Sequence, residues 1–109
     1  MTFSSLTPED RGIISRMRWV HFGQLDNLAV RNGHVVAMEG AEWKSKINFR
    51  TKNNLPHVAT RKDGDFLLND VQINFLETIH SLEDCMISFI KVSDGLPTEM
   101  ELKGHLDHI

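Results

Sequence analysis

The sequence contains little cysteine and no long apolar run. Its one cysteine, Cys85, cannot form an internal disulfide, so the fold must be held by packing, which suits the reducing cytoplasm. No apolar run approaches the roughly 20 residues that a membrane-spanning helix needs. Residues 1–5 also lack the basic, apolar and small-residue order of a signal peptide. We therefore expect a cytoplasmic protein that does not act in a membrane.

Signatures of catalysis and of cofactor binding are lacking as well. No phosphate-binding glycine loop is present, since Gly33, Gly40, Gly64 and Gly95 are isolated turn glycines. The serines lie in no recognisable nucleophile motif, and the acidic pairs Glu83-Asp84 and Asp63/Asp65 fall in helix-end and loop contexts where solvation explains them. We assign no catalytic residue and no cofactor, and an enzyme is the least favoured interpretation.

Six histidines raise the question of a metal site. His105 and His108, with Asp107 between them, would share one side of the C-terminal tail if that tail were helical. A zinc site needs three or four ligands, and no cysteine or second histidine pair stands at ligand spacing. The other four histidines are scattered singly, at helix ends, in a turn and in a loop: His21, His34, His57 and His80. The sequence therefore predicts no metal site.

Length and composition indicate one soluble domain. The chain has 109 residues, of which 40% are hydrophobic and 25% charged, as in ordinary globular proteins. The net charge of −3 is unevenly distributed, because residues 1–39 are balanced, residues 40–67 carry +3 and residues 68–109 carry −6. The basic middle and the acidic C-terminal part could bind a partner or attract each other.

A predicted β-hairpin lies between Gln24 and Glu39. Asn32-Gly33 separates two apolar runs, and a type I′ turn needs two residues that tolerate positive φ. Such a turn pairs Arg31 with His34, Val30 with Val35, and Leu28 with Ala37. It places one apolar set on the buried face, namely Leu28, Val30, Val35 and Ala37. The second face then carries Leu25, Val36 and Met38, so it would also need to pack against another segment or another copy of the protein.

A predicted helix precedes this hairpin. Thr7 can cap its first turn, and Pro8 follows at a position that needs no hydrogen-bond donor. One apolar stripe follows at helical spacing: Ile13, Ile14, Met17 and Val20. Gly23 is the expected left-handed residue at the helix end.

The same order of signals recurs 62 residues later. Asn69 and Gln72 resemble a capping box, and Asp94-Gly95 stands where Asn32-Gly33 stood. When the sequence is shifted by 62 residues, the apolar stripe of the second helix aligns with that of the first at every position: Phe75, Leu76, Ile79 and Leu82. We predict an α+β domain, residues 1–109, in which two helix-hairpin (αββ) repeats, 6–39 and 68–101, form an antiparallel sheet with the helices on one face. Two unrelated helix-hairpin pieces remain the alternative, and residues 102–109 are expected to be a loose tail.

The connecting segment, residues 40–67, contains the clearest alternation in the chain. From Trp43 to Lys52 apolar or small residues alternate with basic ones, which predicts a strand with one basic face. Six basic residues form a candidate nucleic-acid or partner surface: Lys44, Lys46, Arg50, Lys52, Arg61 and Lys62. Lysines that protect an edge strand, or that meet the acidic C-terminal part, would explain the same pattern.

The hairpin motif resembles that of small uncharacterised bacterial proteins, a domain of unknown function made of one helix and one hairpin. About thirty residues carry the resemblance, and its key positions are Phe22, Gly23, Leu25, Val30, Asn32, Gly33 and Val35. The second unit departs from the pattern, because Asp84-Cys85 replaces the aromatic-glycine step. The resemblance implies the architecture and assigns no activity.

These observations favour a small non-catalytic protein-protein interaction or regulatory module. The protein partner is unknown, and self-association through the apolar second face, giving a homodimer or other homo-oligomer, is expected. Nucleic-acid binding through the basic strand 44–52 is the alternative.

Overall fold

The computed structural model describes residues 1–50, 65–104 and 106. It contains helices α1 (Pro8–Val20) and α2 (Asp70–Ser81) and strands β1 (Gly23–Arg31), β2 (His34–Ser45), β3 (Cys85–Ser93) and β4 (Leu96–Lys103). The strands form one antiparallel sheet in the order β2-β1-β3-β4. The predicted α+β class, with four antiparallel strands and two helices, is confirmed.

The helices begin where the sequence predicts. The Thr7 hydroxyl accepts a hydrogen bond from the Asp10 amide, and Pro8 is the first residue of α1. At α2, Asn69 and Gln72 form a full capping box, with two reciprocal hydrogen bonds of 2.9 and 3.0 Å. Neither helix in the described ranges is long and apolar enough to cross a membrane.

The end of α1 differs from the prediction. His21, not Gly23, is the C-cap residue, with a positive φ of 70° and a ψ of −66°. Gly23 instead opens β1 beside the partner strand, where an added Cβ would lie 1.8 Å from the Lys44 carbonyl oxygen. Glycine is needed there because the two backbones approach closely, not because a helix ends.

Both predicted hairpin turns are present. Asn32 and Gly33 have φ values of 53° and 76°, and Asp94 and Gly95 have 55° and 77°. The predicted pairings of Leu28 with Ala37, Val30 with Val35 and Arg31 with His34 are all observed. Pro97 lies on β4, which is an edge strand, as the missing amide donor requires.

One buried cluster joins the helices to the sheet. Ile13, Ile14, Met17 and Val20 of α1 pack with Phe75, Leu76 and Ile79 of α2, whereas Leu82 is only partly buried. The strands add residues from one face of the sheet: Leu25, Leu28, Val30, Ile87, Ile90 and Val92. α1 packs mainly against β2, and α2 mainly against β4.

An irregularity at Asn27 corrects the predicted faces of the hairpin. Asp26 pairs with Glu42 but Leu28 pairs with Ala37, so β2 carries extra residues opposite Asn27. Asn27 has a φ of 59°, and its amide group donates a hydrogen bond to the Gly40 carbonyl. The alternation of β1 shifts by one residue at this bulge. Leu25 therefore faces the core, where it is 3% exposed, and its predicted place on the second face was wrong.

Of the predicted strand from Trp43 to Lys52, the described part, residues 43–50, does not form a separate strand, and residues 51 and 52 lie outside the described residues. Residues 43–45 are the end of β2, paired with Leu25, Gln24 and Gly23, and residues 46–50 follow outside the sheet. Ala37, expected to be buried, is exposed. Leu102 and Lys103, expected in the tail, belong to β4.

Candidate functional site

Three potential metal-ligand side chains meet at one corner of the fold. Asp10 lies in the first turn of α1, His34 is the first residue of β2, and His80 lies in the last turn of α2. Asp10 Oδ2 is 2.7 Å from His80 Nε2, and Asp10 Oδ1 is 3.3 Å from His34 Nδ1. One ligand atom from each residue can be chosen so that all three lie within 4.8 Å of one another.

The turn between β1 and β2 brings these residues together. Asn32 and Gly33 reverse the chain in two residues, so that β2 begins with His34 next to Asp10 of α1. Gly33 lies against the backbone of α2, with an added Cβ at 3.5 Å from the His80 carbonyl oxygen. The Thr7 cap fixes the start of α1 and with it the position of Asp10.

Asp10 is the buried member of this cluster. Its exposed fraction is 3%, whereas His34 is half-buried and His80 is exposed at the surface. A buried carboxylate is costly unless hydrogen-bonded partners compensate for lost hydration. Here each carboxylate oxygen has an imidazole nitrogen beside it, and a small cavity of about 220 Å³ adjoins the three side chains.

The sequence prediction missed this cluster because its residues are 24 and 46 positions apart. In the sequence, His34 and His80 stand as scattered single residues, far from Asp10. One signal was available in the sequence. Asp10 precedes Ile13 and Ile14 by three and four residues, which places an acidic side chain on the apolar, core-facing stripe of α1. A polar residue on such a stripe needs a partner from another element.

A second feature is an apolar groove of about 380 Å³ between α1 and β2. Its apolar wall includes Ile13, Leu28 and Val35. Trp43 stands at its border, 46% exposed, with its ring edge-to-face to Trp19 at a centroid distance of 4.4 Å. Three exposed charged side chains also line the groove: Glu9, Arg16 and Glu42.

A further groove of about 470 Å³ lies between α2 and β4. Seven of its lining residues follow lining residues of the first groove by 62 positions: Val71, Asn74, Phe75, Thr78, Pro97, Thr98 and Glu99. The first groove has Gly12 and Ala37 where the second has Asn74 and Glu99, so the two differ in polarity.

The predicted basic surface is only partly described. Lys44 forms ion pairs with Asp26 at 3.2 Å and with Glu42 at 3.9 Å, so its charge is balanced locally. Lys46 and Arg50 are exposed beyond the end of β2. Lys52, Arg61 and Lys62 lie outside the described residues, as do His57, His105 and His108.

Comparison of the chain with protein-family models, curated proteins and solved structures found no match. The resemblance to small bacterial helix-hairpin proteins therefore remains a prediction. The function must be argued from the residues of this chain.

Proposed function

We propose that the protein is a small non-catalytic interaction module that self-associates, with Phe49 of each copy in the α1–β2 groove of the other. One observation carries this proposal: Phe49 is 95% exposed in the same molecule that has an apolar groove next to a half-exposed tryptophan. Ile47, in the same short segment, is also exposed. A reciprocal arrangement buries both aromatic side chains in a two-fold dimer.

Charge complementarity supports the same occupant. Phe49 lies between Lys46 and Arg50, both exposed, in a segment of the chain that contains no acidic residue. The groove that would receive it carries Glu9 and Glu42 as well as Arg16. Opposite charges at the border would fix the orientation of the segment, while the apolar contact supplies most of the affinity.

The opposite face of the sheet, which the sequence favoured for self-association, supports a weaker case. Its central apolar residues include Ala29, which is fully buried, and Val36, Met86 and Phe89, which are half-buried. Charged pairs surround them, with Lys91 at 2.9 Å from Glu99 and Lys44 beside Asp26. Burying these solvated ion pairs in a dimer would cost desolvation energy.

We also propose that the chain arose from two copies of one helix-hairpin unit, although α1 and α2 occupy different positions on the sheet. A shift of 62 residues lays Gly23–Arg31 on Cys85–Ser93, and Thr7 on Asn69. Between β1 and β3, Leu25 pairs with Ile90 and Leu28 pairs with Ile87. Because the 62-residue shift takes Leu25 to Ile87 and Leu28 to Ile90, each of these pairs corresponds to the other. The corresponding linings of the two grooves support the duplication as well.

Sedimentation equilibrium of the whole chain and of a Phe49→Ala variant tests the self-association. Burial of a phenylalanine side chain contributes about 2 kcal/mol. Because a two-fold dimer contains two such contacts, Phe49→Ala should raise the dimer Kd by about a thousandfold. Leu106→Ala is the matched control, since Leu106 is also a highly exposed apolar residue beyond an edge strand. A monomeric native chain, or equal Kd values for all three proteins, would exclude the proposal.

Charge exchange provides an independent check. Lys46→Glu with Arg50→Glu should weaken the dimer, and adding Glu9→Lys with Glu42→Lys should restore much of the affinity. If the variant with all four substitutions is folded by circular dichroism but does not recover dimer affinity, the assigned contact is contradicted.

Nucleic-acid binding is the second candidate, supported by the exposed Lys46 and Arg50 side chains. Retention of the protein on DNA or RNA that falls steeply with salt, and that Lys46→Glu with Arg50→Glu abolishes, would favour it. The charge reversal should weaken both self-association and nucleic-acid binding, whereas Phe49→Ala should weaken self-association alone. Retention of the Phe49→Ala variant on nucleic acid therefore separates the two functions.

A further inference from the structure

We propose that Asp10, His34 and His80 bind one divalent transition-metal ion of the zinc type. This inference is independent of self-association, because the three residues lie at the β1–β2 turn and do not line the α1–β2 groove. Two imidazole nitrogens and one carboxylate oxygen form a ligand set that zinc and similar ions accept. Magnesium and calcium prefer oxygen ligands, so this set disfavours them.

Binding one ion requires side-chain adjustments, because the two short contacts use different Asp10 oxygens, although one ligand atom of each residue already lies within 4.8 Å of the others. A tetrahedral zinc ion with ligand bonds near 2.0–2.1 Å separates its ligand atoms by about 3.4 Å. Asp10 Oδ1 and His34 Nδ1 are already 3.3 Å apart. Asp10 Oδ2 and His80 Nε2, now 2.7 Å apart, must open by less than an ångström, and His80 is an exposed side chain in the last turn of its helix.

The cavity beside the three ligands provides room for the rest of the coordination sphere. It measures about 220 Å³, opens to solvent and is also lined by Thr7 and Asn32. Three protein ligands with an accessible fourth position are typical of zinc sites that bind water or an exogenous ligand, whereas structural zinc sites have four protein ligands. The site therefore fits an exchangeable ion that can take a small anionic or neutral fourth ligand.

The fold itself does not require this cluster. The counterparts of Asp10, His34 and His80 at a shift of 62 residues are Gln72, Leu96 and Arg18. Gln72 is buried in the equivalent helical turn, where its side chain accepts a hydrogen bond from the Asn69 amide. Gly95 packs on Arg18 much as Gly33 packs on His80. The three counterpart positions thus hold no aspartate or histidine, so helix and turn packing alone does not explain a buried aspartate between two histidines.

Titration of the full chain with Zn²⁺ by calorimetry, and with Co²⁺ by visible absorption, tests the site. We expect one ion per chain, a Co²⁺ spectrum of four-coordinate intensity, and loss of at least tenfold in affinity for His34→Ala and for His80→Ala. Histidine ¹⁵N shifts should identify Nδ1 of His34 and Nε2 of His80 as the liganding atoms. The bound ion should also raise the midpoint of thermal unfolding, because it binds the folded chain selectively.

A control variant distinguishes this site from the other histidines. His57→Ala, His105→Ala and His108→Ala combined leave Asp10, His34 and His80 intact and should bind Zn²⁺ with unchanged affinity. Binding that this combined variant abolishes, or that survives in a folded His34→Ala/His80→Ala protein, would overturn the proposal. Absence of Zn²⁺ and Co²⁺ binding by the native chain would overturn it equally and would leave Asp10 and His80 as a structural hydrogen-bonded pair.

Discussion

Gly33 lies directly against the backbone of His80, so that a β-carbon on Gly33 would be 3.5 Å from the His80 carbonyl oxygen. The first hairpin turn is therefore packed on the second helix. Gly95 has the reciprocal relationship with the first helix, with its added Cβ at 3.3 Å from the Arg18 Cα. Each hairpin turn thus packs against the helix of the other half of the chain, and the first of these contacts places His34 close to Asp10 and His80.

Removal of the buried carboxylate should destabilise the fold. Asp10→Ala removes the buried member of the cluster together with its hydrogen bonds to His34 and His80, and we expect a loss of about 1–3 kcal/mol in the free energy of unfolding. Urea denaturation measures this loss. Glu77→Ala is the control, because Glu77 is an exposed acidic helical residue that lines neither the α1–β2 groove nor the Asp10 cluster, and it should change stability by less than about 0.5 kcal/mol. Equal effects of the two substitutions would contradict the role assigned to Asp10.

The same substitution should have opposite effects at two glycines. Gly23→Ala places a methyl group 1.8 Å from the Lys44 carbonyl oxygen, so β1 and β2 must separate locally, at a cost of about 3 kcal/mol. Gly12→Ala meets no atom within 4 Å on the surface of α1 and should stabilise the protein by about 0.5–1 kcal/mol. Thermal denaturation reports both. A destabilising Gly12→Ala or a neutral Gly23→Ala would show that β2 is placed differently.

Tryptophan fluorescence should follow self-association. The two tryptophans of the chain, Trp19 and Trp43, contact each other beside the α1–β2 groove. Occupation of the groove by Phe49 would exclude water from Trp43, so the emission maximum should shift to shorter wavelength as protein concentration rises. Phe49→Ala should abolish this concentration dependence. Emission that is constant while sedimentation reports a dimer would place the interface elsewhere.

The contact between Asp65 and Ser4 should depend on pH. The Ser4 hydroxyl donates to the Asp65 carboxylate at 2.6 Å and the Ser4 amide donates at 2.8 Å, and these hydrogen bonds hold the pKa of Asp65 below its ordinary value. Because the pKa is lower in the folded state, the contact stabilises the fold at neutral pH. That contribution is lost as the pH falls from the ordinary aspartate value, about 4, through the lower folded pKa.

Urea denaturation of the native chain and of Asp65→Asn between neutral and acidic pH measures this contribution. The amide does not titrate, so the stability of the variant should fall less steeply on acidification. Parallel curves for the two proteins would show that the Ser4 hydrogen bonds do not persist in solution.

Local signals predicted the positions of the main elements. Thr7 before Pro8 and Asn69 before Gln72 marked the helix starts, and Asn32-Gly33 and Asp94-Gly95 marked the turns. These signals work because capping hydrogen bonds and left-handed φ values are satisfied within a few residues of chain. The alternation from Trp43 to Lys52 led to a wrong prediction for residues 46–50, because alternating residues form a strand only where a neighbouring strand pairs with them. The pairing of β2 with β1 ends at Ser45.

The sequence by itself determined where the helices and turns form, because the required side chains are next to the backbone groups they satisfy. Only the tertiary structure decided that Asn27 forms a bulge that turns Leu25 into the core. It also decided that a carboxylate in α1 meets imidazoles from β2 and α2. Both outcomes depend on strand register and helix packing between distant parts of the chain, which no local spacing specifies.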